Sequence, residues 1–475
     1  MKAPGERKRV VSVVPSVSRY DCVMLAAKVR FPWKSVVVLV ALAAVSLASL
    51  ASRVSRVSPP LPQVRPALPP LLELHVKLRA VGARLTLASG WSTPLFTHLP
   101  AGVQDDRVRW IEIFVPAPDG TDRALAAVLA DPAVEVALRP PVTTLASEGA
   151  VAQASDSCPI TTPSFESYQG YLGPAPQGID APAAWRRGAR GQGVWFADIE
   201  GGWNPQHEDL PGDRITHAGG VVIQDPAWRA HGTAVLGEVV GRDNGKGVVG
   251  IAPDVERVVT SSIGGTSVAD AIDVAAEQLR AGDVLLIELQ SAGPRGRYIP
   301  VELWDDVFDT IHAATARGVV VIEAAGNGGE DLDHRSYRRA FDRRHRDSGA
   351  IMVGAGGPPR QGFADRERLD FSNYGSRVDV QGWGRKVATL DYGDLQSCAG
   401  DQRHYTGEFS GTSSASPIVA GAAVILEGLA RERGHVLGPA ELRALLRRTG
   451  TPQAGNTAQA IGPRPDLARA IREVP

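Results

Sequence analysis

Short runs of apolar residues alternate with longer segments of helical periodicity through the C-terminal two thirds of the chain. The apolar runs predict strands, and they are GVWFADI, GVVGIAP, DVLLIELQ, GVVVIEAAG, AIMVGAGG and VDVQGWG. The other segments predict helices, and they are TAVLGEVVG, VADAIDVAAEQLRAG, DDVFDTIHAATARG and the stretch that follows Ser413. Because the strands are rich in Val, Ile and Leu without polar alternation, we expect both faces of the sheet to be covered. The predicted fold class is α/β, a doubly wound and mostly parallel sheet with helices on both faces.

The segment before this region has a different pattern. Arg109–Pro116 and Ala133–Val142 read as strands and Asp122–Pro132 as a short helix, which predicts a small α+β domain. The chain is thereby divided into a signal segment (1–51), a Pro-rich linker (52–73), the small domain (74–145), a linker with the expected maturation site (146–175) and the large domain (176–475).

An apolar run at residues 35–51 follows Lys28, Arg30 and Lys34. It is shorter than the ~20 residues of a membrane-spanning helix, and small residues end it. We therefore favour a cleaved secretory signal over a retained membrane anchor. The protein is expected to be secreted or extracytoplasmic and to meet the membrane only during export, whether translation starts at Met1 or at Met24.

Charge and cysteine content narrow the function classes. The net charge of −1 gives no argument for nucleic acid or for an anionic membrane surface. The cysteines Cys22, Cys158 and Cys398 match no zinc spacing. Export would permit a disulfide between Cys158 and Cys398, and the sequence leaves that pairing open.

Ser413 lies between a Gly-Thr pair and a long apolar helix, in GTSSASPIVAGAA at residues 411–423. A helix N-terminus carries free N–H groups and a partial positive charge, which favour an anion. Ser413 is therefore either an N-cap or a nucleophile whose reaction creates an oxyanion beside those groups. A nucleophile would also need a base and an orienting acid.

Three other polar residues fall at strand ends or helix starts. Asp198 ends the first strand of the large domain, His231 opens the helix HGTAVLGEVVG, and Asn327 ends the strand GVVVIEAAGN. Ligands bind at the carboxyl ends of the strands in open parallel sheets. We therefore expect Asp198, His231, Asn327 and Ser413 at one edge of the sheet.

From about Gly178 to the C-terminus, these segments resemble the subtilisin-like serine peptidases (the subtilase family). The matching segments are ADI at 197–199, HEDL at 207–210, HGT at 231–233, GVVGIAP at 247–253, AAGN at 324–327, FSNYG at 371–375 and GTSSASPIVAGAA at 411–423. The order Asp, His, Ser is also that of subtilisin. The resemblance implies a serine endopeptidase made as a self-processing zymogen, with the small domain as its propeptide-inhibitor.

The resemblance also implies a role for each matched residue. Ser413 would attack the scissile carbonyl, His231 would act as base and then acid, and Asp198 would orient His231. The Asn327 side chain and the Ser413 N–H would bind the oxyanion. Substrate would add as an extended strand. The residues expected to bind it are Leu289, Gln290, Ser291, Ala292, Gly293, Ala324, Ala325 and Gly326.

The chain departs from the family pattern beside two of these residues and in the segment that sets cleavage preference. Ile199, Glu200 and Gly201 follow Asp198, Ala230 and Ala234 flank His231, and residues 289–293 replace the usual Ser-Leu-Gly. The natural substrate and the cleavage preference therefore stay open.

No cofactor or metal is expected for the chemistry. Glu200, Glu208 and Asp209 match no calcium loop, so we favour solvated carboxylates there, and structural calcium has no ligand pattern to support it. The basic run at residues 334–347 is interpreted as a solvated face in preference to a docking patch for acidic partners.

The expected partners are peptide or protein substrates and the chain's own propeptide. Two alternatives to a hydrolase are an inactive subtilisin-like binding scaffold and a transamidase or peptide cyclase that uses the same acyl-enzyme. The complete set of Asp198, His231, Ser413 and Asn327 argues against the first, and nothing in the sequence favours the second.

Overall fold

A computed structural model describes residues 71–146, with gaps at 86–89, 97–98, 100–104 and 118–120, and residues 159–475 except residue 399. The predicted signal segment, most of the predicted Pro-rich linker and the cysteines Cys22 and Cys158 lie outside these residues. Cys398 is disulfide-bonded.

The described chain begins with a small antiparallel sheet and one helix. These elements are β1 (Leu71–Leu78), β2 (Trp91–Pro94), β3 (Trp110–Pro116), α1 (Thr121–Ala130) and β4 (Val134–Leu138). The strands lie in the order β2-β3-β1-β4. Successive residues of β1 point to opposite faces. Leu74 and Val76 pack in a core with α1, whereas His75 and Lys77 contact the large domain.

Twelve further strands follow in the described part of the chain. They are β5 (Thr143–Leu145), β6 (Trp195–Glu200), β7 (Ile215–Gly219), β8 (Arg257–Ser262), β9 (Val284–Ile287), β10 (Leu289–Ala292), β11 (Tyr298–Pro300), β12 (Val320–Ala324), β13 (Ile351–Gly356), β14 (Val380–Trp383), β15 (Val387–Leu390) and β16 (Tyr405–Phe409), of which β5 belongs to the tail of the small domain. Seven of them form one parallel sheet in the order β14-β13-β12-β9-β6-β8-β7.

Helices cover both faces of this sheet. They are α2 (Ala181–Trp185), α3 (Pro226–Val240), α4 (Val268–Ala276), α5 (Asp305–Ala316), α6 (Thr412–Glu432), α7 (Pro439–Thr449) and α8 (Leu467–Ala470). Alternate residues of β6 enter different cores: Phe196 packs with α3 and α6, and Ala197 packs with α4 and α5. The predicted α/β fold, with a small α+β domain before it, is confirmed.

Helix α6 occupies the centre of one of these cores. In the described part of the chain it is the helix long and apolar enough to cross a membrane, and its apolar window is entirely buried. It contacts β12, β13 and β14 of the central sheet. Its hydropathy therefore reflects its place in the core.

One predicted strand is wrong. GVVGIAP at residues 247–253 forms a turn that returns along α3, with the Ile251 N–H bonded to the Glu238 carbonyl and only an isolated bridge at Gly247. Val248 and Ile251 pack in the core beside α3, and this burial accounts for the apolar pattern that predicted a strand. The strand of the central sheet that follows α3 is β8. Neither β8 nor β7 was predicted from the sequence.

Candidate active site

Ser413 is the second residue of α6, so it is not the N-cap of that helix. The N-cap is Gly411, whose φ of 105° favours glycine. The Ser413 side chain is fully buried, and its Oγ has no hydrogen-bond partner among the described residues. Of the two interpretations offered by the sequence, capping is therefore excluded by the geometry.

The end of β5 lies directly against Ser413. The Ala146 carbonyl accepts hydrogen bonds from the Ser413 N–H, at 3.3 Å, and from Asn327 Nδ2. The N–H and the hydroxyl of Thr412 both donate to Asn327 Oδ1, each at 2.9 Å, and so fix the amide with Nδ2 towards the tail. The two expected oxyanion donors thus converge on one carbonyl oxygen of the chain itself.

The tail that carries Ala146 is held as a strand. β5 pairs antiparallel with β10, and Leu145, Thr144 and Thr143 lie opposite residues 289, 290 and 291. The Gln290 side chain adds a second contact, because its Nε2 donates to the Leu145 carbonyl at 2.6 Å. Its Oε1 accepts from the Asn327 N–H at 2.8 Å. One buried side chain therefore joins the tail to the segment that carries Asn327.

Several residues expected to bind substrate surround this strand. Leu289, Ser291 and Ala292 belong with Gln290 to β10, while Gly293 begins the turn towards β11. Ala324, Ala325 and Gly326 connect the end of β12 to Asn327. Gly326 N–H donates to Thr412 Oγ1 at 3.2 Å, so this segment is tied to the start of α6.

The acid in contact with His231 is Glu200. His231 Nδ1 lies 2.5 Å from Glu200 Oε1, and both side chains are fully buried. The Phe409 ring packs edge-on against the imidazole. No hydrogen bond joins His231 Nε2 to another described residue. One imidazole nitrogen is therefore held by a carboxyl group, while the other has no hydrogen-bond partner among the described residues.

Asp198 does not contact His231 as the sequence analysis expected. Its Oδ2 accepts a hydrogen bond from Trp203 Nε1 at 2.7 Å, and the side chain is fully buried. The reason lies in the length of β6, which continues past Asp198 and ends at Glu200. Residues two apart on a strand share a face and are separated by about 6.6 Å, so Glu200 is the one at the carboxyl edge.

Burial governs the ionisation of these groups. It lowers the pKa of His231 to about 3, so that the imidazole is neutral. It also raises the pKa of Glu200 and that of Asp198 well above their ordinary values. For Asp198 the neighbouring Glu200 charge raises the pKa further, and the Trp203 hydrogen bond opposes the rise.

The carboxylates considered for a cation site have protein partners instead. Glu208 pairs with Lys246 at 2.8 Å, and buried Asp209 accepts from the Asn244 side chain and the Val248 N–H. Glu200 contacts His231. The three carboxylates therefore do not share a cation site, and they are not solvated side chains as predicted.

The basic run at residues 334–347 is only partly a solvated face. Arg343 pairs with Asp379 and Arg346 with Asp305, while Tyr337 and Phe341 are buried. Much of the run therefore packs into the fold.

Comparison with known proteins identifies the family of this fold. The model of the subtilase family matches residues 212–462, just over half of the 475-residue chain. That match begins after β6. Asp198 and Glu200 therefore fall outside it, and the choice between the two acids depends on the geometry.

Three relatives illustrate the similarity. The major intracellular serine protease of Bacillus subtilis (strain 168) is 27% identical over 290 residues, which cover 57% of this chain and 80% of that protein. An intracellular serine protease of Paenibacillus polymyxa is 30% identical over 261 residues, covering 53% and 72%. Subtilisin Savinase of Lederbergia lenta is 28% identical over 256 residues, covering 52% and 81%.

A solved structure supports the fold. A protease from Pseudoalteromonas arctica PAMC 21717 superposes with a TM-score of 0.51 at 23% identity, and the match covers 66% of this chain and 100% of that one.

Proposed function

The chain belongs to the subtilase family of serine peptidases, and we propose that it is an endopeptidase made as a zymogen that cuts its own Ala146–Ser147 bond. The observation that carries this proposal is the position of the Ala146 carbonyl oxygen, which accepts from both Ser413 N–H and Asn327 Nδ2. A carbonyl between two such donors is where an oxyanion is stabilised during acyl transfer.

In the proposed reaction Ser413 Oγ attacks the Ala146 carbonyl carbon and His231 Nε2 accepts the hydroxyl proton. The oxygen of the tetrahedral intermediate then carries the negative charge, stabilised by Asn327 Nδ2 and the Ser413 N–H. Collapse breaks the Ala146–Ser147 bond, and His231 returns the proton to the leaving amine. Water releases the acyl group by the same steps, and the small domain then ends in a carboxylate at Ala146.

Glu200 is proposed as the orienting acid of this reaction. With its carboxylate on Nδ1, the imidazole keeps its proton on that nitrogen, and the lone pair on Nε2 is available to accept. This role needs the ionised form of Glu200, which a hydrogen bond from His231 Nδ1–H favours although burial raises the pKa of the group. The charged carboxylate then stabilises the imidazolium as it forms. Asp198, which is bonded to Trp203, is left with a structural role.

The tail also indicates the kind of substrate. An extended segment would pair with β10 as β5 does, with a small residue such as Ala146 before the cut. The Ala146 side chain is fully buried, so the position before the scissile bond is enclosed. We infer a preference for small residues at that position.

Export is the second part of the proposal. It is supported by the apolar run at residues 35–51 after three basic residues. The disulfide at Cys398 also supports it, because such bonds persist in oxidising compartments. Two of the relatives are named intracellular proteases, so cell fractionation of the full chain must decide the compartment, and a cytoplasmic product would refute export.

The cleavage proposal is tested by intact mass and N-terminal sequencing of the full chain beside Ser413→Ala, with Ser164→Ala as an exposed serine control. The parent and the control should yield a new N-terminus at Ser147. In Ser413→Ala the Ala146–Ser147 bond should remain intact. Cleavage in Ser413→Ala, or at another bond in the parent, would overturn the proposal.

The same masses separate the alternatives. A hydrolase releases a small domain whose mass includes one water, whereas a transamidase joins it to an added amine. An inactive scaffold gives neither product and does not react with a fluorophosphonate probe.

A further inference from the structure

Two strands of the small sheet bring three metal-ligating side chains together at the face that meets the large domain. His75 on β1 lies directly opposite Glu112 on β3, and Glu73 lies two residues before His75 on the same face. One ligand atom from each of the three residues lies within 4.8 Å of the others. We propose that Glu73, His75 and Glu112 form a binding site for a divalent metal ion of the zinc type.

The second observation concerns the imidazole of His75, whose side chain is only 1% exposed. Its Nδ1 lies 2.6 Å from Asp306 Oδ2, on helix α5 of the large domain. Its Nε2 has no hydrogen-bond partner among the described residues and lies 3.4 Å from Glu73 Oε1. A buried nitrogen thus faces the glutamates while the other nitrogen is held by a carboxylate.

This is the arrangement that metal-bound histidines adopt. A histidine ligand generally gives its second ring N–H to a carboxylate, which fixes the tautomer and the ring orientation. Here Asp306 supplies that carboxylate, and Nε2, once a metal displaces its proton, would direct its lone pair towards Glu73 and Glu112. The outer partner would come from the large domain and the metal ligands from the small one.

The donor set favours zinc over calcium or magnesium. One imidazole nitrogen and two carboxylate oxygens suit zinc, which commonly has three protein ligands and a water. Calcium takes six or more oxygen ligands, and magnesium also prefers oxygen. Glu73 is 42% exposed, so the site opens to solvent on that side and water can complete the coordination.

The glutamates have an electrostatic reason to bind a cation. Their ligand atoms lie within 4.8 Å of each other on one face of the sheet, and a positive charge between them would offset the repulsion of two carboxylates. A proton on His75 is the competing source of that charge, since zinc must displace it.

A metal here would strengthen the contact between the two domains. It would hold His75 with its Nδ1–H directed at Asp306, beside the Lys77–Asp309 ion pair at 2.7 Å. The site does not depend on the proposed cleavage, because its three ligands and Asp306 lie in β1, β3 and α5, which carry none of the proposed catalytic residues.

The test uses the full chain carrying Ser413→Ala, so that it stays joined. Zinc chloride is added, free metal is removed by dialysis, and bound zinc is measured by mass spectrometry and X-ray absorption. Glu73→Gln and Glu112→Gln remove one ligand each, and Asp306→Asn alters only the outer partner. Glu135→Gln, on β4 and ion-paired with Arg109, is the matched control.

The parent and the control should bind one zinc with one imidazole and oxygen ligands, unaffected by calcium. Asp306→Asn should weaken binding by about 10–100-fold, and each ligand variant by at least that factor. Equal zinc binding by the parent and both ligand variants, no retained zinc in the parent, or displacement by calcium would overturn the proposal. Circular dichroism of each variant verifies that it is folded.

Discussion

Replacement of Glu200 by Gln tests which acid serves His231. The substitution keeps the size and shape of the side chain but removes its charge. The contact it alters is the 2.5 Å approach of Glu200 Oε1 to His231 Nδ1, between two fully buried groups. Because both groups are buried against each other, we expect the substitution to change the protonation and orientation of the imidazole.

The expected loss is large. A Gln amide can donate to Nδ1, which shifts the imidazole proton to Nε2 and leaves no lone pair to accept the Ser413 proton. The corresponding acid-to-amide change in another serine protease fold lowers kcat by about 10⁴. At 1.36 kcal/mol per tenfold, this is about 5.4 kcal/mol of transition-state stabilisation. Glu200→Asp should also be poorly active, because its carboxylate withdraws by about 1.5 Å.

Asp198→Asn is the matched control. Its remaining oxygen can still accept from Trp203 Nε1, so we expect activity within about tenfold of the parent. The assay is the rate at which the Ser147 N-terminus appears in the full chain, followed by mass spectrometry. If Asp198→Asn abolishes cleavage while Glu200→Gln preserves it, the assignment of Glu200 is wrong.

Two further predictions concern the tail and the base. Gln290→Ala leaves the Leu145 carbonyl and the Asn327 N–H without their partner, so a peptide of residues 139–146 should inhibit the cleaved enzyme about tenfold less well; unchanged inhibition would show that these bonds contribute nothing. Burial lowers the pKa of His231 from 6.5 to about 3. The imidazole therefore stays neutral, and able to accept a proton, to a lower pH than a free histidine. Self-cleavage of the full chain should therefore persist below pH 6.5, and half-loss of its rate near that value would contradict the lowered pKa.

The sequence predicted the sheet and the location of three expected site residues at its edge, because each depends on a local pattern; their catalytic roles stay predictions. His231 does not open its helix as predicted, because α3 already begins at Pro226. It does lie beside the carboxyl end of β6. Asn327 and Ser413 follow β12 and begin α6, and they meet at one carbonyl oxygen. Buried parallel strands and a helix start after glycine were sufficient to place them.

The acid could not be chosen in this way because two carboxyl residues occupy one face of β6. Asp198 and Glu200 are two residues apart, so their side chains point to the same face of the strand. The alternation of side chains shows which face a residue occupies, but not how near it lies to the end of the strand. The role of Ala146 was equally hidden, since only the pairing of β5 with β10 decides which residue reaches Ser413.

The close approach of α3 and the length of β6 support the proposal that a glutamate serves where the resemblance implied an aspartate. A Cβ on Gly232 would lie only 2.3 Å from the Gly202 carbonyl oxygen, so the lack of a side chain lets α3 approach the chain just beyond β6. That approach fixes the position of the α3 backbone beside His231. The side chain of the acid must then reach from β6 to the His231 imidazole. Glu200, at the last position of the strand, spans it with the longer side chain, whereas Asp198 lies about 6.6 Å deeper and is held by Trp203. The position of α3 and the length of β6 together therefore support the proposal that Glu200 is the orienting acid.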